Sequence, residues 1–403
     1  MQPLDFAVKI VSPAFVAGAM EEEVKDTDLF RFVDGKKIKP QHRFIDSDGL
    51  RIPSLRGILR FWFRSMNGHR SMNQLKIDES KIFGDTERGQ GIRLIPCGAS
   101  DWTPVKIEKD GQAQGYLGYG PLQYEMKNKG FTSHNKFAFR YAIPPGAVFH
   151  FRAIGDEYQI TQLEKCLTLL HLFGGIGSRS RRAWGSLEVL GKFILPRDQK
   201  ENVAVWFEKQ LKEVFKDRTL DSKEPEFSAF SKAKASSKAS ADSICLSKKP
   251  LPDYHEVMNE FYQQFKKIRH YKNSGSIGEA DHDLEYADYE SGKLSGIPQR
   301  IAFGMPYHPT ARDEKLNMEY EGHPKAANAK PLDRRASPLL LKVFKESNTA
   351  FYAVALFLKT ASFFRNPGVE FSAKGFAGDL PFPGWKAVED FMANPNWQSI
   401  KLP

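Results

Sequence analysis

The sequence predicts an α+β fold in which helices lie on one face of an antiparallel sheet, and three observations carry that prediction. The N-terminal residues alternate as a half-buried strand does, with Phe6, Val8 and Ile10 set against Ala7 and Lys9. Two segments, 54–67 and 160–173, place apolar residues at helical spacing. Strand-like runs within 92–154 and at 184–194 fall between and after those helices, so the order is mixed rather than a regular alternation of strand and helix.

In chain order, the opening strand leads through a loop to the helix at 54–67, where Ser54 after Pro53 is the expected N-cap. The helix at 160–173 carries Ile160, Leu163, Leu167, Leu170 and Phe173 on one face and ends at Gly174 and Gly175. The strand at 184–194 follows that glycine loop. The segment 199–216, with Val203, Val205, Trp206, Leu211, Val214 and Phe215, reads as a helix closing a first domain, 1–216. The stretch 217–250 includes SKAKASSKASADS, which is small, polar and lysine-dotted, and it is expected to be a linker. A second domain, 251–403, opens on a helix at 253–270 with Val257, Met258, Phe261, Tyr262, Phe265 and Ile268. A polar stretch (271–296) and strand-like runs at 299–304, 338–344 and 350–358 follow. This order suits a second copy of the first architecture, although no fixed-period repeat is visible.

Composition narrows the function. With 403 residues, 41% hydrophobic and 27% charged, the chain falls in the globular range. Lys and Arg (59) exceed Asp and Glu (49), which points to a polyanionic partner. Residues 1–195 hold 28 cations against 21 acids and residues 196–403 hold 31 against 28, so the polyanion site is expected mainly in the first half. Cys97, Cys166 and Cys245 are far apart, without metal-ligand spacing, so a reducing cytoplasm is expected and no disulfide scaffold or metal site. The start of the chain lacks the pattern of a signal peptide, and the longest apolar stretch, 350–358, is too short to span a bilayer; a soluble chain without a membrane partner is expected.

Two segments carry the chemistry. In IPSLRGILRFWFRSMNGHR (52–70), Arg56, Arg60 and Arg64 fall within an arc of about 80° on the helix, beside an apolar face of Leu55, Leu59, Trp62 and Met66. Like charges one turn apart oppose helix formation, so either carboxylates elsewhere in the fold neutralise the stripe or a nucleic-acid phosphate track does. In HLFGGIGSRSRRAWGSLEV (171–189), the order helix, glycines, strand excludes a dinucleotide fingerprint, and no phosphate-loop Lys-Ser/Thr follows, so no nucleotide cofactor is called for. The remaining expectation is a loop whose backbone at Gly175 and Gly177 approaches phosphates, with Arg179, Arg181 and Arg182 as cations and Trp184 stacking on a base. The competing reading is an ordinary turn with solvated arginines.

A third region, 115–151, interleaves aromatic residues (Tyr116, Tyr119, Tyr124, Phe131, Phe137, Phe139, Tyr141) with Lys127, Lys129, Lys136 and Arg140; these rings serve either base stacking or the core. The acidic stretch 279–290 suits either a divalent cation or a solvated face. His42, His69, His134 and His171 lie near basic segments, where a metal-free ribonuclease would place a general acid. His255-Glu256 lacks the second histidine of a zinc protease, since position 259 is Asn.

The series SPAFVAGA (12–19), LRIPSLRGILRFWFR (50–64), KIFGDTERG (81–89), FGGIGSRSRRAWGSLEV (173–189) and RRASPLLLKVF (334–344) resembles the motifs of the RAMP superfamily. Within it, the blocks are most similar to the first subunit of the Cmr module, the type III-B CRISPR effector complex. The resemblance implies two ferredoxin-like (RRM-like) domains and a non-catalytic, cofactor-free role in which guide CRISPR RNA and target RNA are held at one end of the complex, beside other Cmr RAMP subunits. The family's basic surface corresponds to Arg56, Arg60, Arg64, Arg179, Arg181, Arg182, Arg334 and Arg335. Phe63 stands where many relatives carry a second tryptophan. The alternative function is a stand-alone, metal-independent guide-processing endoribonuclease of the same superfamily, with His42 or His171 as general acid and base.

Overall fold

A computed structural model describes residues 1–16, 31–33, 36–38, 49–87, 89, 91–108, 112–118, 139–198, 200–218, 220, 223–232, 243–270, 272–304, 310–311, 314–315, 320–323, 336–361, 363, 370–373, 376 and 380–403. The first half builds β1 (Gln2–Ile10), α1 (Ile52–Met66), α2 (Met72–Phe83), β2 (Arg93–Ala99), β3 (Val148–Gly155), α3 (Glu157–Phe173), β4 (Leu187–Leu190) and α4 (Val203–Phe215). Its main sheet has four strands in the order β2-β3-β1-β4, every neighbouring pair antiparallel, and two short two-stranded sheets lie outside it. A strand-helix-strand-strand-helix-strand chain with that order is ferredoxin-like, with α2 as an added helix.

The second half repeats it. Strands β5 (Ile244–Ser247), β6 (Leu339–Lys345), β7 (Phe351–Phe357) and β8 (Trp397–Ser399), with helices α5 (Tyr254–Arg269), α6 (Ile277–Ser291) and α7 (Lys386–Met392), give the sheet order β6-β7-β5-β8, again antiparallel throughout. The chain is therefore an α+β protein whose halves share one topology, with α6 added to the second.

How the sheets are covered decides which surfaces a partner can reach. The inner face of the first sheet (Phe6, Val8, Ile10, Phe149, Phe151, Val189) packs on α1, α3 and α4. The far side of that helical layer is closed by the second sheet, because Ile244, Leu246, Leu340, Phe344, Val354 and Leu356 belong to the same core. The alternate residues Cys245, Leu339, Leu341, Val343, Ala353, Ala355 and Phe357 face a second core with Val257, Phe261 and Phe265 of α5. The order is sheet, helices, sheet, helices. The second sheet is buried on both faces, and only the first keeps an outer face in solvent, marked by the Asp5–Arg152 ion pair and exposed His150.

Alternation along β6 also turns Lys342 toward the first half, between Leu340 and Phe344. Its fully buried ammonium donates to the carbonyls of Leu170 (3.1 Å), His171 and Leu187 (2.7 Å), tying β6 to the end of α3 and to β4. Burial pushes its pKa well below the usual lysine range.

Four expectations are corrected. The stretch 217–250 is not all linker: Phe227 and Phe230 are buried in the first core, and β5, buried at every residue, is central in the second sheet. The strand expected at 184–194 covers only Leu187–Leu190. The polar stretch 271–296 contains α6, whose buried side is acidic. Asp281 accepts from the backbone N–H groups of Gln299 and Arg300 (2.8 Å each), Arg300 pairs with Asp281 and Glu285 at 3.1 and 2.9 Å, and Asp288 accepts from Ser295. A search for apolar periodicity does not see a helix that docks through charge. The strand-like run at 299–304 is instead a 3-10 helix, Gln299–Phe303.

Candidate nucleic-acid interface

The arginine stripe of α1 is largely engaged within the chain. Arg56 donates to the carbonyls of Phe83 (2.9 Å) and Ile92 (3.3 Å), and burial, then the charge of Arg60, lowers its pKa. Arg60 pairs with Glu79 at 2.9 Å, donates to the Phe83 and Gly84 carbonyls and lies over the Phe83 ring. These two cations cap the carbonyl end of α2, where the helix dipole favours positive charge. Arg64 stays 41% exposed, with Glu79 at 3.6 Å. The carboxylate that compensates the stripe comes from α2, which the pattern of α1 alone does not reveal.

The glycine loop after α3 is stitched into the fold. Ile176 N–H donates to Gly185 O, Ser178 N–H to Phe15 O, Ala183 N–H to Leu341 O and Gly185 N–H to Pro13 O, all at 2.8–3.0 Å. Gly177 (φ +83°) sits so close to the chain that a Cβ would lie 2.4 Å from Phe15 O; at Gly185 (φ +62°) it would lie 1.9 Å from Ile176 O. At Gly175 the nearest backbone atom would be 3.0 Å away. The glycines serve close packing of chain on chain, so the expected open phosphate cradle at Gly175 and Gly177 gives way to an internal joint.

Trp184 is likewise corrected. Its ring is buried (0% exposed), 4.7 Å from Phe15, in the core of the second half, where it has no face for a base. A tryptophan among arginines and glycines looks like a stacking platform, but here it is the plug by which the loop enters the neighbouring core.

The arginines of the loop have a different fate. Among the described residues, both non-glycine positions at positive φ, Arg179 (+61°) and Ala183 (+68°), lie in this loop, a strained conformation held by its stitching. Arg181 donates to Ser337 O and lies 5.1 Å over Phe61 of α1. Arg182 lies 4.6 Å over Phe265 of α5, and Arg269, at the end of α5, approaches the same ring (5.9 Å), Phe303 (5.4 Å) and Tyr116 (5.9 Å). Burial pushes the pKa of both Arg181 and Arg182 down to about 10, with the charge of Arg269 adding to the effect on Arg182; both stay protonated at neutral pH. Arg179, Arg182 and Arg269 thus form one positive cluster at the junction of the halves, beside Tyr116. Sequence reading missed Arg269, which the chain separates from Arg182 by β4, α4 and β5. The only signal was the basic last turn of α5, Lys266, Lys267 and Arg269.

Arg334, Arg335, His42, His134 and most of the aromatic region, including Tyr124, Phe131 and Phe137, lie outside the described residues. His69 is exposed just beyond α1. His171, an expected general acid and base, is buried between Trp206 and Phe344, and its Nδ1 accepts from Val189 N–H at 3.0 Å. Burial, then the Lys342 charge, pushes its pKa down to about 3, so the ring is neutral and sealed from substrate. Its unfolded pKa is near 6.5, so its contribution to stability is complete above about pH 6.5. That contribution falls by roughly 1.4 kcal/mol per pH unit on acidification, because the unfolded chain takes up the proton first. In urea unfolding followed by circular dichroism, the parent should therefore lose about 2 kcal/mol more than His171→Gln between about pH 7 and about pH 5. Equal losses would mean that the ring is accessible.

The family model for the RAMP superfamily matches residues 7–188. The CRISPR system Cmr subunit Cmr1-1 of Pyrococcus furiosus is 26% identical over 147 residues, which are 35% of this chain and 40% of that protein. Cmr1-2 of the same organism is 28% identical over 151 residues, which are 34% of this chain and 80% of that protein. The match thus spans well under two thirds of the first of these relatives. Among solved structures, Cmr1 from Pyrococcus furiosus in its apo form aligns at a TM-score of 0.47 and 16% identity, covering 98% of this chain and 96% of that one. A type III-B Cmr-beta structure bound to cognate target RNA aligns at 0.46 and 10% identity, covering 97% and 98%. The matched region runs from within β1 to within β4 and includes α1 to α3 and the glycine loop, and over that stretch the chain is similar to the RAMP superfamily.

Proposed function

We propose that this protein is a non-catalytic, RNA-binding subunit of a type III-B CRISPR effector complex of the Cmr kind, holding guide or target RNA at one end of the complex beside other Cmr subunits in the cytoplasm. The observation that carries the reading is the convergence of Arg179, Arg182 and Arg269 on one junction, with Arg182 and Arg269 both drawn to the Phe265 ring. Like charges gathered at one place repel one another and favour an added anion, and a nucleic-acid phosphate is an anion of the right kind. Tyr116, 36% exposed beside Arg269, offers an aromatic face at the same place. The similarity to Cmr subunits selects RNA from among the polyanions. The neutral, buried state of His171 argues against general acid–base chemistry there.

Binding of a labelled single-stranded RNA should be strongly salt-dependent, with a slope of log K against log salt near about −3 to −4 for four to six phosphate contacts. Arg182→Ala and Arg269→Ala should each weaken binding by about fivefold or more and make the slope shallower by roughly 0.7. Anisotropy titrations at several salt concentrations measure both. A flat salt dependence, or variants that bind like the parent, would remove the junction from the RNA path.

A further inference from the structure

Gly57 is a glycine of α1 that packing among the described residues does not require. It lies in the interior of a 15-residue helix, where glycine is a poor choice because it loses the most backbone freedom on folding. It lies within the helix, its surface is exposed, and among the described residues a Cβ placed on it would meet nothing within 4 Å. Gly177 and Gly185 differ, because a side chain on either would strike backbone.

The neighbours of this gap carry charge. Helical spacing sets Gly57 beside Arg60, Phe61 and Arg64 at i+3, i+4 and i+7, and the Arg181 guanidinium lies over Phe61 at 5.1 Å. Arg64 keeps 41% of its side chain in solvent. Arg181 also neighbours Arg182 in the chain, so the loop that reaches this face of α1 is the one that carries the junction cluster.

We propose that Gly57 is a close-approach position for the phosphodiester backbone of single-stranded RNA, which leaves the Arg182–Arg269 junction and runs across the exposed face of α1, between Arg64 and Arg181. A missing side chain lets the strand come down onto the helix backbone, within reach of guanidiniums on either side. This rests on the RNA-binding reading above. It adds that the limit at this point is steric, so a neutral side chain is enough to block it. A helix of a neighbouring subunit would also exploit a glycine gap, but the flanking guanidiniums favour the anionic strand.

The test is Gly57→Gln, which adds bulk without charge and favours the helix. Its urea midpoint should equal or exceed the parent's, while its affinity for a labelled single-stranded RNA falls about tenfold with an unchanged salt slope. A photo-crosslinking residue introduced at Gly57 should attach to that RNA. If the parent binds RNA and Arg182→Ala weakens it, but Gly57→Gln binds like the parent, the close-approach role is overturned and the junction stands. If the parent does not bind RNA, both readings fall. A crosslink to another subunit in the assembled complex, with none to RNA, assigns the gap to a protein neighbour and overturns the proposal.

Discussion

Trp184→Ala should lower the stability of the protein by about 3–5 kcal/mol, the usual cost of deleting a large, fully buried ring. The ring is 0% exposed, packs on Phe15, and stands in the core of the second half although the chain delivers it from the loop of the first. The cavity would open where the halves meet, in a loop already strained at Ala183. Guanidinium unfolding should show one shifted transition, and under conditions where the variant is folded its RNA affinity and salt slope should stay close to the parent's. A variant of parental stability that binds RNA weakly would mean that the indole stacks on a base after all.

Lys342→Met should also be costly. Methionine matches the aliphatic stem and removes the ammonium from the carbonyls of Leu170, His171 and Leu187. Leu170 O keeps a donor in Gly174 N–H (2.8 Å), so the loss falls chiefly on the other two. At about 1–3 kcal/mol for each buried acceptor deprived of a donor, the expected destabilisation is about 2–6 kcal/mol, reduced to the extent that a buried charge no longer has to be desolvated. Equilibrium unfolding should show a lower midpoint, and proteolysis should open the contact between β6 and the end of α3 first. An unchanged midpoint would mean that the carbonyls find other donors.

Much of the architecture was legible because apolar spacing survives in sequence. Helices α1, α3, α4 and α5 and strands β1, β6 and β7 lie close to where periodicity puts them, and each is held by the apolar face that reveals it. Helix α6 was not legible, because its buried side chains are Asp281, Glu285 and Asp288 and the matching Arg300 arrives from beyond the helix. Strand β5 was hidden by brevity: four residues at the edge of a polar, lysine-rich stretch carry no period of their own.

The sequence by itself determined that this is a basic α+β protein with a motif series similar to that of the RAMP superfamily, because residue types and local spacing state the class, the sign of the charge and the motif series directly. Only the tertiary structure decided what each charged or aromatic residue does, since that depends on partners far away along the chain. Arg56 and Arg60 look like a phosphate track until α2 brings Glu79 and its terminal carbonyls to them. Trp184 looks like a stacking platform until the second half closes over it, and Arg269 looks like a helix-terminal cation until it meets Arg182 across Phe265. The physical reason is the same in each case: a side chain's electrostatic and solvent environment is set by contacts with residues distant along the chain, and those contacts have no local signature.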